Sequence, residues 1–413
     1  MPTAEFDLPA AHQDVVAAPP TEFPLVGAPE DTVLSEVSAR LEANRYERDR
    51  NFAITYSGTP HPISRRVEAL AEGTFFVEWA DESETGTLSM EREAVRMVAS
   101  LLGDPEAVGF ITSGGTESNL AALRLMRNSG RRSEPEVVAP TTMHFSFRLG
   151  AELMGIRLVE IDVDDATFLP RIEDVERAIG PNTVGLVCSA PAGSFGLLDP
   201  VEAFAELALR KGLHLHVDAA FGGFILPFMR DLGHEIPPFD LSLPGVSSIM
   251  TDGHKLGLLP ISTGFFIARP AGLFEAIPTE RTLIHTTSST KPGSRAASAW
   301  ATFRHLGREG YRRSTAHVLG LRDLIVEGVC AIPGMRLVVP PVITVVAFTS
   351  DTIDLEAVHR LLADDGWGQG YGQIRGQPFI RLSIHPSRDE EHARGFVQAF
   401  ERAAERARRW PGR

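Results

Sequence analysis

The sequence predicts an α/β fold: a mainly parallel sheet covered by helices, followed by a smaller α+β unit. Three observations carry this. From about residue 86 to 270, helical and strand-like runs alternate, the order expected of a parallel sheet with helical crossovers. The strand-like runs are short apolar stretches bounded by turn residues. After about residue 290 the texture changes to long helical runs and separated β-rich segments.

The elements follow in chain order. Residues 1 to about 30 are rich in Pro and Ala and read as a loose arm, with Asp31-Thr32 capping a first helix through Arg45. Tyr56-Ser57-Gly58-Thr59-Pro60-His61-Pro62 holds too many helix and strand breakers to be regular, so it reads as a loop. Helices are predicted over 91–103, 118–127, 147–155, 172–179 and 201–211. Strands are predicted over 108–112, 136–139, 157–163, 184–188 and 213–217. Beyond 290, residues 296–305 and 311–329 read as two helices, 335–339, 344–348 and 379–384 as strands, and 389–409 as a charged terminal helix. The glycine-dense stretch Gly366–Gly372 reads as a loop. The expected organisation is an arm and helix over 1–55, a large domain over 56–285 and a small domain over 286–413.

Bulk properties narrow the function. The chain has 413 residues and a formal net charge of −14, which disfavours nucleic acid as a partner. Cys188 and Cys330 are the two cysteines, without metal-ligand spacing, so they read as reduced, mostly buried thiols and no metal is expected. No apolar run is long enough to span a membrane. The N-terminus lacks the charged-then-apolar pattern of a signal peptide, so the expected location is the cytoplasm.

Three segments carry chemistry. In Phe110-Ile111-Thr112-Ser113-Gly114-Gly115-Thr116-Glu117-Ser118 a strand runs through two glycines into a helix. Free N–H groups at a helix start make an anion site, to which Ser113 and Thr116 add hydroxyls. In Leu213-His214-Leu215-His216-Val217-Asp218-Ala219-Ala220 an Asp stands at the C-terminal end of a strand, the edge where open α/β sheets bind ligands. His214 and His216 alternate with core positions and read as structural or solvated. In Thr251-Asp252-Gly253-His254-Lys255-Leu256 a lysine follows a strand. Lys211, Lys255 and Lys291 are the chain's three lysines; every other strongly basic side chain is Arg. An amine forms an imine with an aldehyde and a guanidinium does not.

Together these segments resemble fold-type I pyridoxal-phosphate enzymes, in particular the group II amino-acid decarboxylase superfamily. The matching stretches are Thr112–Ser118, His216–Phe224 and Asp252–Lys255, in the family's order and spacing. Gly58-Thr59-Pro60-His61-Pro62-Ile63 resembles the archaeal-type tyrosine/aspartate decarboxylases. Cys188–Pro200 and Phe239–Ile249 are more similar to the sphingosine-phosphate lyases.

The resemblance implies a seven-stranded-type sheet domain and pyridoxal 5'-phosphate bound as a Schiff base on Lys255. It implies Asp218 at the pyridine nitrogen, Ala220 under the ring and His144 stacked on its face. Ser113, Gly114, Gly115, Thr116 and His254 would hold the phosphate, with Ser189 near the ring hydroxyl. Ser289 or Thr290 would reach the phosphate, in many relatives from a second subunit, which implies a homodimer. Substrate candidates are Tyr56, His61, Lys291, Tyr371 and Arg381, with Tyr56 and Tyr371 also candidate proton donors. The chain departs from its relatives at Lys291, at Gly253 and in Ala192–Phe195. Gly253 reads as loosening the lysine loop.

The expected activity is carbon–carbon lysis, first as an amino-acid α-decarboxylase of the carboxy-lyase class. The alternative is retro-aldol cleavage of a β-hydroxy amine or phosphorylated amino alcohol, with Lys291, Arg295 and Tyr56 as phosphate binders. Another pyridoxal-phosphate reaction and a cofactor-free scaffold are the remaining readings.

Overall fold

The computed structural model describes residues 26–42, 50–55, 58–72, 86–193, 195–269, 291–374 and 376–408. Tyr56, Ser289 and Thr290 lie outside them, as do most of the N-terminal arm and the expected boundary at 285/286.

Two sheets organise the chain. The first has seven strands: β1 (Val108–Thr112), β2 (Glu136–Pro140), β3 (Arg157–Ile161), β4 (Thr183–Ser189), β5 (His214–Asp218), β6 (Ser248–Asp252) and β7 (Gly264–Ala268). Their spatial order is β1-β7-β6-β5-β4-β2-β3. β7 runs antiparallel to both neighbours, and the other pairs are parallel. Every residue of β4, β6 and β7 is buried, as a sheet covered on both faces requires.

The helices of this part of the chain are α1 (Glu30–Glu42), which lies exposed, and α2 (Pro62–Leu70), α3 (Gly86–Leu101), α4 (Gly115–Gly130), α5 (Ser146–Met154), α6 (Ile172–Ala178), α7 (Val201–Lys211) and α8 (Leu226–Asp231). α1 begins at Glu30, so Asp31-Thr32 falls inside its first turn rather than before it. α4 starts three residues before the expected Ser118, because its turns begin directly at the double glycine.

A helical run, α9 (Gly293–Cys330), joins the two sheets. It breaks at Gly307, whose φ of 56° and ψ of −175° only glycine adopts readily. The two helices expected from the sequence are the two arms of this run. The second sheet has the order β10 (Gly370–Ile374), β11 (Gln377–Ser383), β9 (Val345–Ser350) and β8 (Met335–Leu337), and is antiparallel throughout. Helices α10 (Leu355–Asp364) and α11 (Glu390–Arg408) complete this unit.

Three expectations are corrected. Gly366–Gly372 is a loop only in part: the chain turns at Gly366, Gly370 opens β10, and Trp367, Gly368, Gln369 and Gly370 are buried. Gly372 faces Phe379 so closely that a Cβ would fall 2.7 Å from its ring, and this cross-strand packing explains glycine in a strand. Cys330 is exposed, whereas Cys188 is buried. Gly253 does not loosen its loop, because a Cβ there would lie 2.6 Å from Leu259 Cδ1.

Candidate active site

The parallel strands deliver their C-terminal ends to one edge, where the three chemistry-bearing segments meet. β6 ends at Asp252 and the chain turns over residues 253–257. Lys255 Nζ lies 2.9 Å from Asp252 Oδ2 and 4.3 Å from the centroid of the Phe221 ring. Its side chain is 13% exposed, so the amine is withdrawn from bulk solvent. Asp252 is buried, and its Oδ1 has no hydrogen-bond partner among the described residues.

The turn is clamped from outside. The buried His385 ring hydrogen-bonds the Lys255 backbone, and burial pushes its pKa down to about 3. Thr59 N donates to Ser387 Oγ at 3.1 Å and His61 N to Leu258 O at 2.9 Å. Gly58 abuts the His385 ring, where any Cβ would overlap it. The expected loop of residues 58–61 is thus seated on the lysine turn. His61 itself caps α2, its Nδ1 accepting from Ile63 N at 3.3 Å.

Asp218 ends β5, in register with Ser189 of β4 on one side and Met250 of β6 on the other. Its Oδ1 accepts from Ala220 N at 3.1 Å and its Oδ2 from Asn119 Nδ2 at 3.0 Å. Ala220 O in turn accepts from Asp252 N at 3.2 Å, which ties the aspartate turn to the lysine strand. His144 lies close enough to act on the same groups: the residue is exposed, yet surrounding protein lowers its pKa. Asp218 and Asp252 oppose that shift and Lys255 reinforces it. Four side chains from three segments therefore act on one another.

The anion cradle lies beside them. Gly114 has φ 132° and ψ −172°, a conformation that favours glycine, and Gly115 opens α4. A Cβ on Gly114 would lie 3.0 Å from His254 Cε1, and one on Gly115 would lie 3.1 Å from Asp252 Oδ2. His254 Nδ1 donates to Thr263 O at 2.9 Å, which places a proton on that nitrogen. Ser113 N donates to Glu117 Oε2 at 2.6 Å, and Thr116 occupies the first turn of α4. Amide dipoles at a helix start, a withdrawn amine and a carboxylate at a strand end form a donor set that fits pyridoxal phosphate.

The outlying candidates divide. Lys291 Nζ donates to Glu91 Oε1 and Ile111 O, both at 3.0 Å, which buttresses the end of β1. With Arg295 it lines a cavity of about 220 Å³ that also touches Ser113 and Glu117. Arg381 on β11 donates through Nη1 to Gly193 O at 2.7 Å, in the loop after β4, and through Nη2 to Ala53 O at 3.3 Å. Tyr371 is not brought to this cluster. It opposes Ile380, so strand alternation puts it on the other face of the small sheet from Arg381. There it stacks on His359 of α10 at 5.2 Å.

Asn119, Ser146, Phe221 and His385 went unread as site residues. Asn119 carried no signal in the sequence: only its full burial inside a helix, where an asparagine sacrifices helix propensity for some other bond, marks it. Asp199 is also buried beneath the site; its Oδ2 accepts from Ser189 N at 2.7 Å and burial raises its pKa to about 7.

Comparison with known proteins places these features in context. Residues 68–351 match the family described as the pyridoxal-dependent decarboxylase conserved domain. The L-aspartate decarboxylase of Thermococcus kodakarensis is 34% identical, covering 93% of this chain and 100% of that protein. The probable L-tyrosine/L-aspartate decarboxylase of Methanothermobacter thermautotrophicus is 37% identical, covering 83% and 94%. Among solved structures, the sphingosine-1-phosphate lyase of Burkholderia pseudomallei superposes with a TM-score of 0.82 at 28% identity, covering 94% and 93%.

Proposed function

The chain belongs to the pyridoxal-dependent decarboxylase family, and from that premise we propose an L-amino-acid α-decarboxylase acting on an acidic or aromatic substrate, with L-aspartate first. The cofactor is pyridoxal 5'-phosphate and the reaction class is carboxy-lyase. The observation that carries the residue assignment is the convergence of Lys255, Asp218 and His144 at one sheet edge.

Bound there, the cofactor supplies an aldehyde for an amine and a ring that accepts the electron pair left when CO₂ departs. Lys255 would present the amine that takes the cofactor, and Asp252 holds that amine in place. Asp218, fixed by Ala220 N and Asn119, keeps a proton at the ring nitrogen. His144 and Ala220 would hold the ring between them, and His144 would exclude water. Gly114, Gly115, Thr116, Ser113 and His254 hold the phosphate, with Ser189 near the ring hydroxyl. Arg381 receives the substrate carboxylate; its anchoring to the loop after β4 supports this placement.

We also propose a homodimer in the cytoplasm. No described helix is long and apolar enough to cross a membrane. Residues 30–41 of α1 are all exposed, including Val33, Leu34, Val37 and Leu41, an apolar face that a second subunit would cover.

The test is incubation of the holoenzyme with L-aspartate, L-glutamate, L-tyrosine and phosphorylated amino alcohols. CO₂ with the matching amine supports the proposal. Aldehyde from an amino-alcohol phosphate without CO₂ supports retro-aldol cleavage instead, the reading favoured by the likeness to the bacterial lyase.

A further inference from the structure

Behind the ring-facing residues runs a continuous buried network. Asn119 Nδ2 donates to Asp218 Oδ2 and to Ser146 Oγ, both at 3.0 Å. Asn119 Oδ1 lies 3.1 Å from His216 Nε2. His216 Nδ1 and His214 Nε2 each lie 2.8 Å from Ser248 Oγ. Ser146 Oγ lies 2.8 Å from His144 Nδ1, which also receives Ser146 N at 3.3 Å. Asn119, Ser146, His216 and Ser248 are all fully buried.

The donors and acceptors in this chain have one consistent arrangement. A carboxylate oxygen accepts, so the amide group facing Asp218 is NH₂. Its two protons serve Asp218 and Ser146, and the carbonyl oxygen must face His216. His216 Nε2 therefore donates. Burial lowers the pKa of His216 to about 3, so the ring is neutral and its Nδ1 is bare. Ser248 fills that nitrogen with its hydroxyl proton and accepts from His214 Nε2. On the other branch, the Ser146 hydroxyl accepts from Asn119 and must donate onward to His144 Nδ1. With two donors aimed at it, Nδ1 of His144 carries no proton, and the ring holds its proton at Nε2.

We propose that Asn119 is a positioning residue that couples Asp218 to His144, fixing the carboxylate and setting His144 as the neutral Nε2–H tautomer. This rests on the reading of Asp218 and His144 as the residues on the cofactor ring. His216 and Ser248 act behind Asn119 by holding its amide in one orientation. One asparagine thus sets both the group at the ring nitrogen and the group on the ring face.

The experiment is ¹⁵N NMR of histidine-labelled protein without cofactor near neutral pH, with signals assigned by His144→Gln and His216→Gln. The expected wild-type result is a bare Nδ1 and a protonated Nε2 on both rings. Ser146→Ala should shift His144 towards a tautomer mixture and leave His216 unchanged. Asn119→Leu should perturb both rings and weaken pyridoxal-phosphate binding about tenfold or more, the scale of a lost bond to a charged group. His216→Gln, which keeps a donor towards Asn119, should bind the cofactor more tightly than His216→Phe. A wild-type His144 protonated on Nδ1, or a His144 signal unmoved by Ser146→Ala, overturns the proposal. Failure of the wild type to bind pyridoxal phosphate overturns the functional reading instead. The tautomers are read without cofactor, so they decide the network in either case.

Discussion

Lys255 reacts with an aldehyde only if its amine is both reachable and held, and the structure supplies the holding through Asp252 and the Phe221 ring. Two predictions belong at this scale. Asp218→Ala should lower kcat about 100-fold or more, the usual cost of removing a group that stabilises charge in the transition state, and steady-state kinetics on the reconstituted enzyme would show it. Arg381→Ala should raise KM for the amino acid more than it lowers kcat; an unchanged KM would remove Arg381 from the substrate site. The motif residues were legible because aldehyde, phosphate and pyridine chemistry each demand particular side chains at strand ends and helix starts. Asn119 and His385 were not legible. Asn119 bonds Asp218 across 99 positions of sequence, and His385 reaches Lys255 from the far end of the chain. No local pattern encodes such contacts.

Among elements, the turn from β1 into α4 is the most constrained. Gly114→Ala would place a methyl in a left-handed conformation and 3.0 Å from His254. The expected cost is about 1–3 kcal/mol of stability, with weaker pyridoxal-phosphate affinity, measurable by urea unfolding and by titration with cofactor. Equal stability and affinity in the variant would show that the cradle is not built as described. The alternating core of the large sheet was legible because buried parallel strands and amphipathic helices leave distinct periods in sequence. β10 was hidden because its glycines carry no period; Gly372 is there to admit Phe379 from the neighbouring strand. The break in α9 was legible from composition, and the two helices expected from the sequence stand on either side of Gly307.

Across the whole molecule, buried titratable groups set the response to pH. Burial lowers the pKa of His214 to about 4 and of His216 and His385 to about 3, from 6.5. Their contribution is complete above about pH 6.5 and is lost as pH falls towards the folded values. Asp199 has the opposite sign: raised from 3.8 to about 7, it stabilises fully below pH 3.8 and less as pH rises through 7. Between pH 6 and 4 the three histidines outweigh the one aspartate by two protons, so stability should fall by about 3 kcal/mol per pH unit. Urea unfolding across that range checks the slope, and Asp199→Asn should steepen it. The apolar face of α1 predicts a dimer, which sedimentation at micromolar concentration tests directly. The functional reading depends on where the cofactor is attached. The most direct measurement is borohydride reduction of the holoenzyme followed by peptide mass spectrometry. The account predicts a pyridoxyl group on Lys255 and its loss in Lys255→Ala; modification of Lys211 or Lys291 instead, or of no lysine at all, would contradict it.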